Sequence, residues 1–161
     1  MTNAFTLQDL KEVVSLLEKE KIEYLVIGGF GYDGLIGKLT RKHDDLDIVL
    51  NCTGEKALET LSKIGYKLKT GMNELLEFRK NGKKIDAGMV RELDGFYSFS
   101  GKLGTINLSL NDFYKANIRN LEGVLFRGGS PKILYDWNHP VIDDSLKQVI
   151  DHFENKRESL N

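Results

Sequence analysis

The sequence holds little of what stabilises or advertises a specialised protein. A single cysteine, Cys52, occurs in 161 residues, so no internal disulfide can form and no cysteine-rich metal cluster is available. Cys52 reads as a small hydrophobe at a strand end. Only two prolines are present, and no Pro/Gly/Ser-rich linker divides the chain. Neither sign of charge dominates, with 23 Lys+Arg against 24 Asp+Glu, so the footprint expected for binding a long nucleic acid is missing. No apolar run approaches bilayer length, and Met1-Thr-Asn-Ala-Phe-Thr6 lacks the basic-then-apolar order of a secretion signal. There is no internal repeat, no Gly-Lys-Ser/Thr closing a Walker loop, and no complete Gly-x-Gly-x-x-Gly fingerprint. These absences lead to an expectation of a cytoplasmic protein, not associated with membrane, built as one domain over residues 1–161. Its core is expected at about 1–110, with a C-terminal appendage at about 111–161.

What is present is ordinary globular material, 40% hydrophobic and 29% charged, arranged with clear local signals. Thr6 and Asp9 have the spacing of a capping box, and Phe5 and Leu10 that of a hydrophobic staple. Leu10, Val13, Val14 and Leu17 then follow at helical spacing. Glu23 to Ile27 is a short apolar run ending at Gly28-Gly29, which predicts a buried strand entering a tight turn. Tyr32 to Leu39 reads as a short helix, Asp45 to Leu50 as a strand, and Thr53 caps a helix closed by Gly65. Asn81-Gly82 between two alternating runs predicts a hairpin whose two-residue loop pairs Lys80 with Lys83, Phe78 with Ile85 and Glu77 with Asp86. Further on, Thr105 to Leu110 and Gly123 to Phe126 read as strands and Pro131 to Trp137 as a helix. Asp143 or Asp144 caps a final helix carrying Leu146, Val149, Ile150 and Phe153.

The chemistry concentrates on the strands. Residues two apart on a strand share a face, so Asp45 and Asp47 point one way while Leu46, Ile48 and Leu50 point the other. Adjacent carboxylates repel unless a cation lies between them, and hard oxygen donors without His or Cys suit Mg²⁺. A bare Asp-x-Asp can equally be a solvated charge cluster. Two further features weigh against that reading. Gly28-Gly29 lies between a buried strand and a helix, where backbone N–H groups can approach an anion. Asp86 shares a hairpin face with Gly88, Glu77 and Arg79, opposite a core-like set of Ile85, Ala87, Leu76 and Phe78. That placement allows Asp86 as a third acid for a metal site, with Glu77 supporting it from behind, and equally as a solvated strand acid.

The run Ile27-Gly-Gly-Phe-Gly-Tyr-Asp-Gly-Leu-Ile-Gly-Lys-Leu-Thr-Arg-Lys-His-Asp-Asp-Leu-Asp-Ile48 closely resembles the antibiotic nucleotidyltransferases. The aminoglycoside 2″-nucleotidyltransferase group is nearest, with the lincosamide nucleotidyltransferases close behind. The resemblance is strong over about residues 24–50 and fair to about residue 90. It implies an α+β, polymerase-β-like nucleotidyltransferase fold, a small mixed sheet flanked by helices with a C-terminal helical appendage. It also implies that Gly28, Gly29 and Arg41 hold the nucleotide, and that Asp45, Asp47 and Asp86 ligate Mg²⁺, two ions being expected. Asp86 would be a ligand or the catalytic base. Lys42 is a weaker phosphate candidate, and Asp33 and His43 are supporting residues because imidazole does not suit Mg²⁺. Phe30 departs from the Trp that many relatives carry.

The reaction so implied moves a nucleoside monophosphate, AMP by preference, from ATP or another NTP to a hydroxyl of an aminoglycoside or lincosamide. A homodimer is implied as well. For the acceptor, Glu74, Glu92 and Asp94 could line an anionic cleft, and Phe96, Tyr97, Phe99 and Trp137 an apolar one. Solvated surface and core, respectively, are the plainer readings of those two sets. Two other functions are open: nucleotidyl transfer to RNA or protein, and a catalytically silent nucleotide-binding module. The near-zero charge counts against RNA. Three costly acids at matching places count against a silent module.

Overall fold

The computed structural model describes residues 3–72, 75–93, 96–101, 104–109 and 117–138. The final helix expected after Asp143 or Asp144 lies outside them, as do Glu74 and Asp94.

Helix α1, Leu7–Lys19, begins with the expected capping box: Asp9 N–H donates to Thr6 Oγ1 (3.1 Å) and Thr6 N–H to Asp9 Oδ2 (2.8 Å). Its apolar stripe of Leu10, Val13, Val14 and Leu17 is fully buried, each side chain contributing roughly 1.5–3 kcal/mol relative to exposure. Strand β1, Tyr24–Ile27, is buried along its whole length, as its unbroken apolar run predicts for a strand covered on both faces. Helix α2, Gly28–Ile36, follows immediately. The helix expected over 32–39 thus starts four residues earlier, and the glycine pair forms its first turn. Gly28 at φ +65° makes the abrupt change of direction possible, and Gly37 at φ +87° ends the helix. Strand β2, Asp45–Leu50, leads to α3, Gly54–Ser62, capped by Thr53 accepting from Lys56 N–H.

Strands β3 (Lys67–Met72), β4 (Leu75–Lys80) and β5 (Lys83–Met89) complete one half of the main sheet. The β4–β5 turn has left-handed Asn81 (φ 50°) and Gly82 (φ 78°), the type I′ geometry that Asn-Gly favours. Its register is as predicted: Lys80 opposite Lys83, Phe78 opposite Ile85, Glu77 opposite Asp86. Three short strands, β6 (Arg91–Leu93), β7 (Phe96–Gly101) and β8 (Gly104–Leu108), form a separate antiparallel sheet. Strands β9 (Asn117–Leu121) and β10 (Val124–Gly128) return to the main sheet, and α4, Pro131–Asn138, follows.

The main sheet has seven strands in the order β3-β4-β5-β2-β1-β10-β9. It is mixed: β2 runs parallel to β5 and β1 parallel to β10, while the other neighbours are antiparallel. One face carries Val26, Leu46, Ile48, Leu50, Phe78, Ile85 and Ala87 against α1 and α3. The other face carries Leu25, Ile27 and Val49 against Leu134 and Trp137 of α4 and Phe99, Ile106 and Leu108 of the small sheet. Phe99 and Trp137 stack at 6.1 Å, so the apolar acceptor lining considered for these two is core.

Candidate active site

Register places the acids. Across parallel β2 and β5, Asp45 faces Lys84 and Asp47 faces Asp86. Across β4 and β5, Lys84 faces Arg79 and Asp86 faces Glu77. Because alternate residues share a face, the second face of the sheet carries successive rows. The first row is Asp45-Lys84-Arg79 and the next is Ile27-Asp47-Asp86-Glu77. The third is apolar, with Leu25, Val49, Gly88 and Leu75. Charge therefore ends abruptly at Gly88, where an added Cβ would lie 2.9 Å from the Phe99 ring. The second sheet forms the floor there.

One carboxylate oxygen each from Asp45, Asp47 and Asp86 lie within 4.8 Å of one another. Asp47 and Asp86 are buried (7% and 5% exposed), while Asp45 is half-buried. Three anions packed this closely need a cation. Lys84 supplies one, with its Nζ 3.2 Å from Asp86 Oδ2 and 3.6 Å from Asp45 Oδ2. Burial alone would lower the Lys84 pKa, but the carboxylates of Asp86 and Asp45 outweigh it and hold the ammonium above its ordinary value. Lys84 was not anticipated from the sequence. The signal was available, since Lys84 precedes Asp86 by two on the same strand, but Lys83-Lys84 reads as a solvated strand start. Glu77 is engaged elsewhere, accepting from Arg79 Nε at 2.9 Å, which fits a supporting place behind the three acids.

Gly28 and Gly29 are needed for close approach. A Cβ on Gly28 would sit 2.2 Å from Asp47 Oδ2, and one on Gly29 would sit 2.5 Å from His43 Nδ1 and 3.1 Å from Arg41 Nη2. The N-terminus of α2 therefore abuts Asp47 directly. Ile27 at its N-cap gives no side-chain hydrogen bond, and the positive end of a helix favours an anion there. Arg41 reaches over Gly29 while Nη1 donates to the Lys42 carbonyl (2.9 Å). Lys42 itself is exposed.

Asp33 and His43 form the buried brace of this corner. His43 Nε2 lies 2.5 Å from Asp33 Oδ2, and Asp33 also accepts from the Thr40 hydroxyl (2.5 Å) and the Thr40 N–H (3.2 Å). Burial raises the Asp33 pKa, yet the hydrogen bonds from His43 and Thr40 outweigh it and hold the carboxyl below its ordinary value. The His43 ring packs against Phe30, centroids 4.3 Å apart, and its carbonyl accepts from Phe5 N–H at 2.8 Å. The strand-helix-strand segment that carries Gly28, Arg41, Asp45 and Asp47 is thus pinned at its loop. The structure brings Asp45, Asp47 and Asp86 together, sets Gly28 against Asp47 and Arg41 against Gly29, and keeps Asp33, His43 and Glu77 outside the three-acid cluster.

A seven-stranded mixed sheet with helix α2 running straight out of β1 and three acids on β2 and β5 defines a polymerase-β-like nucleotidyltransferase fold. Residues 9–96, more than half of the chain, match the sequence profile of the aminoglycoside-2″-adenylyltransferases, and the chain belongs to that antibiotic nucleotidyltransferase family. The profile is named for an adenylyltransferase activity. A lincosamide resistance protein of Staphylococcus haemolyticus is 37% identical over 67 residues. That stretch covers 41% of this chain and 42% of the relative, so the likeness spans about two-fifths of each. Among solved structures, the lincosamide antibiotic adenylyltransferase LnuA, with lincomycin bound, superposes with a TM-score of 0.71 at 23% identity, covering 94% of this chain and 98% of that one. The aminoglycoside enzyme ANT(2″)-Ia, in complex with adenylyl-2″-tobramycin, gives 0.57 at 17% identity over 94% and 87%. A putative nucleotidyltransferase of Thermotoga maritima gives 0.52 at 18% identity over 96% and 92%. At these identities the structural matches establish the fold. Among the described residues no helix is long and apolar enough to cross a membrane.

Proposed function

We propose that this protein moves a nucleoside monophosphate, AMP by preference, from a Mg²⁺-bound nucleoside triphosphate to a hydroxyl of an aminoglycoside or lincosamide antibiotic. The observation that carries the reading is the convergence of Asp45, Asp47 and Asp86 oxygens within 4.8 Å beside the N-terminus of α2. Family membership and the lincosamide-resistance relative support an antibiotic as acceptor. A cytoplasmic setting, expected from the sequence, would supply both NTP and Mg²⁺.

The donor set fits the metal. The cluster offers three hard carboxylate oxygens, and the nearby imidazole of His43 is already held by Asp33, which suits Mg²⁺ better than a softer ion. Held by Asp45, Asp47 and Asp86, Mg²⁺ would neutralise charge on the transferring phosphate and the departing pyrophosphate. The chain's own part is positioning, which dominates phosphoryl transfer. The α2 N-terminus at Gly28-Gly29 and the guanidinium of Arg41 would hold the triphosphate. The acceptor oxygen would form its bond to the α-phosphorus as the bond to the β-phosphate oxygen breaks. Asp86 would accept the hydroxyl proton at a carboxylate oxygen or serve as ligand.

The test is to incubate the protein with Mg²⁺, ATP or GTP, and pooled aminoglycosides and lincosamides, following adducts by mass spectrometry beside Asp47→Asn. A nucleotide adduct on one drug, absent with Asp47→Asn, is the expected result. Mg²⁺-dependent NTP binding without any drug adduct would redirect the acceptor towards RNA or protein. Absence of Mg²⁺-dependent NTP binding would overturn the reading.

A further inference from the structure

The sheet face that carries the acid cluster carries a cation within it. Lys84 stands directly across from Asp45 and two residues before Asp86. Its Nζ bridges the two, 3.6 Å from Asp45 Oδ2 and 3.2 Å from Asp86 Oδ2. Neighbouring cations of the hairpin serve other acids: Arg79 Nε meets Glu77 Oε2 at 2.9 Å, Lys83 Nζ meets Asp9 Oδ1 at 2.8 Å, and Lys80 Nζ meets Glu12 Oε1 at 3.1 Å. Lys84 is therefore placed by register among the same oxygens that would take a divalent ion.

We propose that Lys84 is an internal counter-ion that competes with the divalent metal for the acid cluster. It holds Asp45 and Asp86 together when no metal is bound and gives way when metal enters. The inference rests on the metal reading above and adds a control to it. Lysine suits the task because its ammonium is a compact point charge on a flexible stem. It can leave the cluster without leaving the site, and the tether keeps its local concentration high. A bare divalent ion entering the cluster must displace this ammonium from Asp45 and Asp86, and the further carboxylate that acts on it, Glu77, already accepts from Arg79. An ion arriving with a triphosphate brings negative charge that the displaced ammonium can meet. Lys84 thereby weakens binding of metal alone relative to metal carried by nucleotide, and favours loading as the metal–NTP complex.

The experiment measures Mn²⁺ binding, without nucleotide, to the full chain stripped with EDTA. Isothermal titration calorimetry and the Mn²⁺ EPR signal would be read for wild type, Lys84→Gln and Lys84→Arg. Removing one charge this near should tighten Mn²⁺ binding by about tenfold or more in Lys84→Gln, while Lys84→Arg binds no tighter than wild type. Melting in EDTA should fall for Lys84→Gln and recover most of the difference in saturating Mn²⁺. Unchanged or weaker Mn²⁺ binding by Lys84→Gln, with wild type binding measurably, overturns the role of Lys84 and leaves the metal reading standing. Failure of all three proteins to bind Mn²⁺ at millimolar levels overturns this inference, and absence of Mg²⁺-dependent NTP binding as well overturns the metal reading with it. Should Lys84→Gln unfold in EDTA, refolding on addition of Mn²⁺ supports the proposal. Remaining unfolded with Mn²⁺ overturns it in favour of a purely structural lysine.

Discussion

His43 Nε2 lies 2.5 Å from Asp33 Oδ2 inside the protein, so a residue of helix α2 and a residue of the loop ahead of β2 are locked to each other before any ligand is considered. Both side chains are buried, Asp33 completely. Removing one partner of a buried pair strands the other, at a cost of roughly 3–5 kcal/mol. Asp33→Ala should therefore lower stability by that order in chemical denaturation. Because the folded pKa of Asp33 is depressed from the ordinary 3.8, its contribution is fully present above pH 4 and is lost as pH falls through the folded value. The wild type should accordingly lose its advantage over Asp33→Asn in that acid window. A stability difference between the two that stays flat from pH 6 down to pH 3 would show that this carboxylate is not the group involved.

Two glycines of α2 with the same backbone hand should respond differently to alanine. Gly28 (φ +65°) has Asp47 Oδ2 only 2.2 Å from where the Cβ would lie, whereas Gly37 (φ +87°) has nothing within 4 Å. Gly37→Ala should cost only the left-handed backbone penalty, ~1–2 kcal/mol, with turnover kept. Gly28→Ala should cost more and also displace Asp47, so nucleotide transfer falls by about a hundredfold or more. Equal losses of stability and activity in the two variants would refute the close-approach role of Gly28.

Arg41 is exposed, with its guanidinium beside Gly29 and Nη1 donating to the Lys42 carbonyl. Arg41→Ala should leave stability within about 0.5 kcal/mol but raise the KM for NTP by roughly 10–100-fold, the worth of a charge-assisted hydrogen bond. Arg41→Lys should recover only part of that, because an ammonium lacks the planar fork. The readout is steady-state kinetics beside a melting curve. An unaltered KM in Arg41→Ala would remove Arg41 from the nucleotide site.

The small sheet should matter to chemistry it does not touch. Phe99 is fully buried, stacks on Trp137, and its ring is what a Cβ on Gly88 would meet at 2.9 Å, two residues after Asp86. Phe99→Ala should cost about 3–5 kcal/mol, a Tm drop on the order of 10 °C for a chain this size. Metal affinity should weaken with it as the floor beneath Asp86 loosens. A stable Phe99→Ala protein would show that the floor is built from other side chains.

Much of this was legible in the sequence where a local rule and the global fold agree. Thr6 and Asp9, Thr53, and the Asn81-Gly82 turn each carry a signal that needs no tertiary partner, and all three formed as expected. Strand periodicity then sufficed to put Asp45 and Asp47 on one face and Asp86 opposite Glu77. Helix α2 was placed late because Gly28, Gly29, Gly31 and Gly34 are poor helix formers. Packing overrides that propensity: a Cβ on Gly31 would meet Leu134 at 2.7 Å, and one on Gly34 would meet Phe126 at 2.5 Å. Those glycines let the helix lie close, a fact held by residues some hundred positions away. The edge strands β3 and β9, and β6 and β7 of the small sheet, were missed for a related reason, while the strand expected over Thr105 to Leu110 formed as β8. Lys67 to Gly71 are all exposed, and the strand bulges between Leu68 and Thr70, so no buried face marks it out in the sequence.

The two-residue turn at Asn81-Gly82 works as an index mark for the site. Side chains alternate along β5, so shifting the hairpin by a single residue would bury Asp86 in the apolar layer and present Ile85 to the acids of β2. Which side chain of β5 stands beside Asp47 is thus settled four residues away from Asp86, at a bend between two strands. Lengthening or shortening that bend by one residue would break up the acid cluster more completely than most single substitutions within it. An insertion of two residues in the turn would return every side chain to its own side.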